Sequence, residues 1–297
     1  MRSAWDRLAA WRDRRTGEQG DLWHRALIDP SLRRVIGPVR GLRVLEVACG
    51  NGYLARRLAG QGATEVVGLD RSEASIRRAR ARERSRPKGV RFEVGDAARL
   101  PFPSGRFDLV VVNMGLMDIR DARGALAEAA RVLGPAGRLV FSISHPCFDL
   151  DDRSLWSVER GFGSDGIYRD VVWRKVRGYR EERRTRVPWR TGPRTVVWTD
   201  SYHRTLATYS RYLQEAGLAI LRLEEPAPRA EMLAKSPQGP YLRDIPLHLV
   251  VEASPWRRAR PASRTRARNR TAGGRRSVGR GRSADSGSGR PGSRRGS

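Results

Sequence analysis

The hydrophobic positions between residues 43 and 144 follow two alternating periods, one typical of buried strands and one of amphipathic helices. Short apolar runs predict five strands, at residues 43–47, 65–70, 90–94, 107–112 and 138–143. Helical spacing predicts helices at residues 53–59, from Ser72 to just before Pro87, and at 122–133. Strand–helix alternation with short links predicts parallel βαβ units in a doubly wound α/β sheet.

The pattern changes from residue 145 to residue 200, where eight of the chain's 21 aromatic residues are interleaved with charges. This stretch is too long for an ordinary connection, so we expect a lid or substrate-facing insertion after the fifth strand. A helix is predicted over 201–216, and strands over 218–223 and 246–251. The expected organisation is an N-terminal helical cover over 1–40, a main α/β domain over 41–253 that contains the insertion, and a tail over 254–297.

The predicted tail carries about half of the chain's net charge of +27, because 14 arginines there stand against one acid. Arg, Gly and Ser make up 30 of its 44 residues. The tail therefore has too few apolar side chains to offset the entropy cost of ordering the chain. We therefore expect a disordered tail. It is either a solvated extension or a segment that makes non-specific polyanion contacts through counterion release.

Several classes of protein are disfavoured by composition. No run approaches 18 apolar residues, so we expect no membrane-spanning helix. Asp6 and Arg7 fall where a signal peptide needs apolar residues, so a cytoplasmic location is expected. The two cysteines, Cys49 and Cys147, make neither a disulfide framework nor a zinc cluster, and we expect no metal site.

A glycine turn lies between the first predicted strand and the helix that follows it. Gly50, Gly52 and Ala55 match the pattern G-x-G-x-x-G/A, which by itself admits NAD, FAD or any other adenosine cofactor. Asp70 ends the second strand, 24 residues after Glu46. That spacing is typical of a carboxylate that accepts hydrogen bonds from the two ribose hydroxyls.

Glu46 distinguishes between these cofactors, because it lies beside the turn where a dinucleotide would place its pyrophosphate. A carboxylate there repels phosphate and suits a cofactor that carries an ammonium and a sulfonium group, which describes S-adenosylmethionine. Asp96 follows the third strand and is placed to accept a hydrogen bond from an adenine amino group. The glycine turn contains no basic residue, which also argues against a phosphate ligand.

These segments resemble the motifs of the class I S-adenosylmethionine-dependent methyltransferases. The similar segments are 44–52, 66–70, 95–97 and 107–113. Residues 100–107 and 130–139 are especially similar to the small-molecule branch, of the ubiquinone/menaquinone-methyltransferase kind. The resemblance covers residues 41–144, and 201–252 more loosely. It implies a Rossmann-like sheet of seven mostly parallel strands with an antiparallel last strand.

The resemblance also implies which residues of the glycine turn hold the methionine part of the cofactor. Glu46 would bind the ammonium group, and Gly50 and Gly52 would face the methionine and ribose. Ala48 stands where the family more often has glycine. It is small enough to keep a place beside the cofactor.

The remaining cofactor contacts implied by the resemblance lie at the next strand ends. Asp70 would hold the ribose hydroxyls, and Arg71 would stack on the adenine. Asp96 and Ala97 would bind the adenine edge, and Asn113 would close the floor of the site near the sulfonium.

Catalytic residues are harder to predict, because methyl transfer depends mainly on alignment and a dry pocket. A general base is needed only where the acceptor holds its proton firmly. His145 follows the fifth strand and is the first candidate for a base or substrate ligand, with a structural histidine as the alternative. Tyr202 and His203, placed at the start of a predicted helix, come next. His24 belongs to the segment expected to cover the cofactor.

The favoured function is transfer of a methyl group from S-adenosylmethionine to a small-molecule acceptor by in-line displacement. The main alternative is an RNA or protein methyltransferase that binds through the basic tail and the aromatic insertion. A NAD-dependent oxidoreductase and a non-enzymatic binding protein also stay open. A nucleophilic role for Cys147 is disfavoured, because its surroundings lack the Thr-Cys pair of the RNA cytosine enzymes.

Overall fold

A central sheet of seven strands dominates the computed structural model, which describes residues 3–256. Its strands are β1 (Arg43–Val47), β2 (Glu65–Asp70), β3 (Val90–Val94), β4 (Phe107–Asn113), β5 (Leu133–Ser144), β10 (Leu218–Glu224) and β11 (His248–Pro255). Their order across the sheet is β10-β11-β5-β4-β1-β2-β3. Neighbours from β5 to β3 pair in parallel, whereas β11 runs antiparallel to both β5 and β10. The predicted fold class is confirmed.

Helices cover both faces of the sheet and one of its edges. They are α1 (Ala4–Thr16), α2 (Asp29–Ile36), α3 (Tyr53–Gly60), α4 (Glu73–Ser85), α5 (Ala122–Val132), α6 (Leu206–Glu215) and the short α7 (Ala230–Lys235). A π-helical turn, His24–Ile28, leads into α2. The predicted cap of α4 is present, since the Ser72 side chain accepts a hydrogen bond from the Ser75 amide.

Side chains along each strand point alternately to the two faces of the sheet, so the core has two layers. On one face, Leu45 and Phe141 are fully buried against side chains of α5 and α6. On the other face, Val44 and Val140 pack against α2, α3 and α4. Because both faces of the central strands are covered, nearly every residue of β4 is apolar and buried.

Two antiparallel hairpins occupy the stretch predicted as an aromatic insertion. The first pairs β6 (Ser154–Phe162) with β7 (Tyr168–Val176), and the second pairs β8 (Arg183–Arg190) with β9 (Val196–His203). The second hairpin lies against α1. Its Trp189 ring is 6.3 Å from the Trp5 ring and 5.9 Å from the Trp11 ring, centroid to centroid.

The structure corrects the predicted helix at 201–216. Residues 201–203 belong to β9, and α6 begins only at Leu206, because the Thr205 side chain accepts the Thr208 amide hydrogen and caps the helix there. Tyr202 and His203 therefore lie on a strand, where His203 Nε2 bonds the Tyr179 carbonyl oxygen at 2.8 Å.

Two other predicted boundaries also differ. Residues 134–137, which separate the predicted helix 122–133 from the predicted strand 138–143, form a bulge inside β5, since Phe107 pairs with Leu133 and Leu109 pairs with Arg138. The last strand begins at His248 and runs to Pro255, beyond the predicted domain end at 253, because it continues to pair with β10.

No helix within residues 3–256 is long and apolar enough to cross a membrane. All but the first three residues of the predicted tail lie outside the described residues.

Candidate functional site

A cavity of about 460 Å³ lies at the carboxyl ends of β1, β2, β3 and β4, beneath α1. Its volume is in the range typical of small-molecule sites. Eight of the nine predicted cofactor residues line it, namely Glu46, Ala48, Gly50, Asp70, Arg71, Asp96, Ala97 and Asn113. The chain direction of the strands brings them together, because parallel strands end at the same edge of a sheet.

Glu46 is buried at the end of β1, with 2 % of its surface exposed. Its Oε2 accepts the Ala55 amide hydrogen at 2.7 Å, at the beginning of α3. The pKa of Glu46 is raised to about 8, mainly because the group is buried. The nearby Asp29 and Asp70 also act to raise the pKa, and the hydrogen bond from Ala55 acts to lower it. A buried carboxyl group without a cationic partner among the described residues is suited to receive a ligand ammonium group.

The turn after β1 brings the backbone close to the cavity. Ala48 has a φ of +57°, a conformation that glycine adopts more readily than alanine. Gly52 has a φ of +75°. Of the nine predicted cofactor residues, it is the one that does not appear among the described residues lining the cavity. A Cβ atom there would lie 2.4 Å from the Phe92 ring, so the close packing of α3 on the sheet requires glycine.

Asp70 supports this turn through both carboxylate oxygens. Oδ2 accepts the Gly50 amide hydrogen at 2.8 Å, and Oδ1 accepts the Ser72 amide hydrogen at 2.8 Å. Burial raises the pKa of Asp70, against the lowering effect of these two bonds. Each oxygen keeps a further lone pair, which is what two ribose hydroxyls require.

The residues after β2 and β3 form a more open end of the cavity. Arg71 and Asp96 are exposed, whereas Ala97 is buried. Asp96 Oδ1 accepts the Ala98 amide hydrogen at 2.9 Å, which holds the loop in a tight turn. The other carboxylate oxygen of Asp96 accepts no hydrogen bond from residues 3–256.

Asn113 is buried at the end of β4, and its amide group is already engaged on both sides. Its Oδ1 accepts the Ser142 hydroxyl hydrogen at 2.6 Å, and its Nδ2 donates to the Tyr53 hydroxyl oxygen at 2.8 Å. Tyr53 in turn donates to Asp29 at 3.0 Å. The network positions the cavity floor, and Met114 follows at the strained φ of +51°.

His145 does not belong to the described lining of the cavity. Its Nδ1 accepts the Cys147 amide hydrogen at 3.2 Å, which places the proton of the neutral ring on Nε2, 3.0 Å from Glu225 Oε1. Burial lowers the pKa of His145, against the effect of Glu225. The geometry is that of a histidine that stabilises the loop after β5.

The other candidate side chains are also in structural positions. His248 is buried in β11, and burial lowers its pKa to about 3. Cys49 and Cys147 have raised pKa values, in both cases because of burial, so neither is an activated thiolate. Of the histidines considered from the sequence, His24 is the one that lines the cavity.

Helix α1 forms the roof of the cavity, and sequence patterns predicted a cover without identifying its residues. Trp5, Ala9 and Arg12 line the cavity from this helix. Asn51 Nδ2, in the glycine turn, donates to Asp13 at 3.0 Å and to the Gly17 carbonyl oxygen at 2.8 Å. The signal for α1 in the sequence is its capping box, in which Ser3 and Asp6 bond each other reciprocally.

Asp6 also ties α1 to α4. Its Oδ1 accepts hydrogen bonds from the Ser72 hydroxyl at 2.7 Å and from the Ala74 amide at 3.1 Å. Burial acts to raise the pKa of Asp6, but the bonds from Ala74, Ser72 and Ser3 lower it to about 2. The roof is thus held to the cofactor-binding half of the sheet by charge-assisted hydrogen bonds.

The fold and the site together define a Rossmann-like protein with buried carboxylates around its first glycine turn. Residues 44–137 match the family model described as a methyltransferase domain. This segment is similar to S-adenosylmethionine-dependent methyltransferase domains, as the sequence motifs indicated.

Within this class, the similarity is to the ubiquinone/menaquinone type. A demethylmenaquinone methyltransferase of Renibacterium salmoninarum is 39 % identical over 127 residues, covering 42 % of this chain and 49 % of that protein. The O-methyltransferase cnsE of Penicillium expansum is 37 % identical over 119 residues, covering 38 % and 43 %. The chain therefore spans about half the length of the curated relatives it matches.

Similarity to solved structures extends over more of the chain. The crystal structure of an S-adenosylmethionine-dependent methyltransferase from Mesorhizobium loti aligns with a TM-score of 0.61 and 29 % identity, over 75 % of this chain and 95 % of that one. The central sheet and its flanking helices are thus shared with a solved methyltransferase.

Proposed function

We propose that this protein transfers a methyl group from S-adenosylmethionine to a small-molecule acceptor. The observation that carries the proposal is the buried Glu46 carboxyl group, which lines the cavity and lacks a cationic partner among residues 3–256. An ammonium group beside it would offset the energy cost of burying the charge. A dinucleotide pyrophosphate would instead meet a carboxylate at the first glycine turn.

Taken in the order of the strands that carry them, the cavity residues match successive parts of the cofactor. Glu46 would bind the ammonium group, and Ala48, Gly50 and Gly52 would shape the turn around the methionine and ribose. The Asp70 oxygens, held by two backbone amides, would accept the ribose hydroxyls.

The adenine would lie at the open end of the cavity. Asp96 would accept from its amino group, the buried Ala97 would pack beside its edge, and the exposed Arg71 would stack on its face. Asn113, fixed by Ser142 and Tyr53, would form the floor near the sulfonium.

When bound, S-adenosylmethionine supplies a methyl group on a cationic sulfur that is a ready leaving group. The protein's contribution is to align the acceptor with the carbon–sulfur bond and to exclude water. Helix α1 serves the second purpose, because Trp5, Ala9 and Arg12 close the cavity from above. Asp13 and Asp6 fix that helix to the glycine turn and to α4.

A small hydroxylated aromatic compound is the acceptor class we favour. Relatives named for demethylmenaquinone methylation and for O-methylation both match the cofactor-binding segment. A cavity roofed by α1 suits an acceptor of limited size. The relatives do not favour the alternative of an RNA or protein acceptor.

Thermal unfolding with different ligands tests the proposal. S-adenosylhomocysteine at a large excess over its dissociation constant should raise the melting temperature, because it binds only the folded state. NAD should leave the melting temperature unchanged. Asp70→Asn should lose most of the shift, whereas Asp108→Asn, at the opposite end of β4, should keep it. Stabilisation by NAD in place of S-adenosylhomocysteine would overturn the assignment.

A further inference from the structure

Three carboxylates in the wall of the cavity have no part in the proposed cofactor site. Asp13 holds Asn51 and Asp121 caps α5, which leaves Asp118 without a structural partner. Asp118 ends the helical turn Leu116–Asp118, just after β4, and its side chain lines the cavity. Its carboxylate accepts no hydrogen bond from any described residue. The residue as a whole is half-buried and lines the cavity.

The turn that carries Asp118 is held firmly in place. The Arg204 guanidinium donates to the carbonyl oxygens of Ile119, at 2.8 Å, and Arg120, at 2.9 Å. The Asp118 amide itself donates to the Gly115 carbonyl oxygen at 3.0 Å. Asp118 is therefore presented by a fixed backbone, as an active-site group requires.

Charged and titratable groups surround Asp118 from three sides. Burial raises its pKa to about 7, while Arg12 of α1 lowers the pKa and Asp151, before β6, raises it. Tyr209 of α6 is also close enough to interact electrostatically with it. A carboxyl group that titrates near neutral pH can both receive a proton and release it.

The position of Asp118 relates it to the acceptor and not to the cofactor. The cofactor contacts proposed above lie at the ends of β1, β2 and β3, with Asn113 at the end of β4. Asp118 follows Asn113 along the chain and lines the same cavity. This step rests on the proposed function: Asp118 lies where the acceptor would meet the methyl group.

We propose that Asp118 is the general base of the reaction and that the acceptor is a phenol- or enol-type hydroxyl compound. As the acceptor oxygen bonds to the methyl carbon, the carbon–sulfur bond breaks and its electron pair stays on sulfur. Where the conjugated ring carbon is the nucleophile instead, the keto form first produced also loses its ring proton to water and regains a proton on oxygen. The hydroxyl proton passes to the Asp118 carboxylate. The resulting carboxylic acid returns the proton to water after the product leaves.

His145 does not compete for this role. Its Nε2 bonds Glu225 and its ring lies outside the described cavity lining. His24 lines the cavity, but its Nδ1 is paired with Asp21 at 2.8 Å. We therefore expect removal of Asp118 to cause a large loss of rate.

The test compares wild type, Asp118→Asn and the control Asp108→Asn, in which a half-buried carboxylate paired with Arg43 at the far end of β4 is changed. Transfer of a radiolabelled methyl group is measured to two acceptors under anaerobic conditions. One is 1,4-dihydroxynaphthalene, which holds its protons at neutral pH, and the other is 2-nitro-1-naphthol, which is already ionised. Calorimetry with S-adenosylhomocysteine is run on the same three proteins.

We expect Asp118→Asn to lower kcat for 1,4-dihydroxynaphthalene by about 10² to 10⁴-fold. It should have little effect on transfer to the ionised nitronaphthol. In wild type, kcat for 1,4-dihydroxynaphthalene should rise with pH through the region near 7, and this rise should be missing in Asp118→Asn. Binding of S-adenosylhomocysteine should be equal in all three proteins.

Three results would overturn the inference while leaving the proposed function standing. The first is an equal loss of rate for both acceptors in Asp118→Asn, and the second is an unchanged pH profile in that variant. The third is that wild type binds S-adenosylhomocysteine but methylates neither hydroxyl compound. Failure of wild type to bind S-adenosylhomocysteine would instead reject the proposed function itself.

Discussion

At the scale of single residues, the turn after β1 holds Ala48 in a left-handed backbone conformation, φ +57°. Such a conformation costs a non-glycine residue about 1–2 kcal/mol. Its Cβ also limits the neighbouring chain, because a Cβ on Gly115 would lie 2.7 Å from it. The strain is located in the wall of the cavity, where backbone strain is commonly tolerated.

Ala48→Gly should stabilise the protein. Relieving the backbone strain stabilises the folded state by more than the added conformational entropy of glycine stabilises the unfolded chain, which is about 0.4–1 kcal/mol. We expect the free energy of unfolding to rise by about 0.5–1 kcal/mol, measured by urea denaturation. The control Ala127→Gly, at an exposed position in the middle of α5, should lower the free energy of unfolding by about 1 kcal/mol. A similar loss in both variants would contradict the account.

The sequence predicted which residues at the strand ends line the cavity. Glu46, Asp70 and Asp96 come directly after or at the ends of apolar runs, and parallel strands must bring such positions together. Asp118 was missed, because its place in the cavity depends on how a short turn packs under α1. His145 was placed by the same strand-end argument, but its side chain lies against Glu225 and not in the cavity.

At the scale of elements, the two hairpins have different relations to the site. The β8–β9 hairpin packs on the roof of the cavity, where Trp189 contacts Trp5 and Trp11 and lies beneath the Arg12 guanidinium at 5.1 Å. The Trp189 ring nitrogen donates to Thr199 at 2.7 Å, which fixes the ring. We infer that this hairpin braces α1 over the cofactor.

Trp189→Ala should loosen α1 and weaken the binding of S-adenosylhomocysteine. Aromatic pairs contribute about 0.5–1.5 kcal/mol each beyond their buried area, so we expect an affinity loss of about three- to tenfold. Trypsin should also cut more quickly at the arginines of α1. Trp173→Ala, on the exposed face of β7, is the matched control and should change neither property. Equal binding by both variants would show that the hairpin does not support the roof.

The sequence did not predict the hairpins as strands, for a physical reason. Both faces of β8 are at least partly exposed, and arginine and aromatic side chains occur along it. No alternation of apolar and polar residues marks such a strand. The bulge at 134–137 was missed because glycine and proline are equally typical of a turn.

At the scale of the whole molecule, the sheet order follows from the alternation of strands and helices. Right-handed crossovers on both sides of β1 lead to the central order β5-β4-β1-β2-β3. The insertion of β11 between β5 and β10 does not follow from the pattern, and the family resemblance implied only that the last strand runs antiparallel. The result is a cavity at the switch point beside β1, where open α/β sheets bind their ligands.

The central claim is that the Glu46 carboxylate receives the ammonium group of the cofactor, and binding as a function of pH tests it most directly. The raised pKa of Glu46, about 8, means that the free protein holds a proton there at neutral pH. Binding of an ammonium ligand favours the carboxylate and so releases this proton. Affinity should therefore increase as pH rises toward 8, by up to about tenfold per pH unit.

The measurement is calorimetry of the full chain with S-adenosylhomocysteine between pH 6 and pH 8, in two buffers of different ionisation enthalpy, beside Glu46→Gln. The account predicts tighter binding and less proton release by wild type as pH approaches 8. It predicts weak binding without this pH dependence for Glu46→Gln. Binding by wild type that does not change with pH, or equal binding by the two proteins, would contradict it.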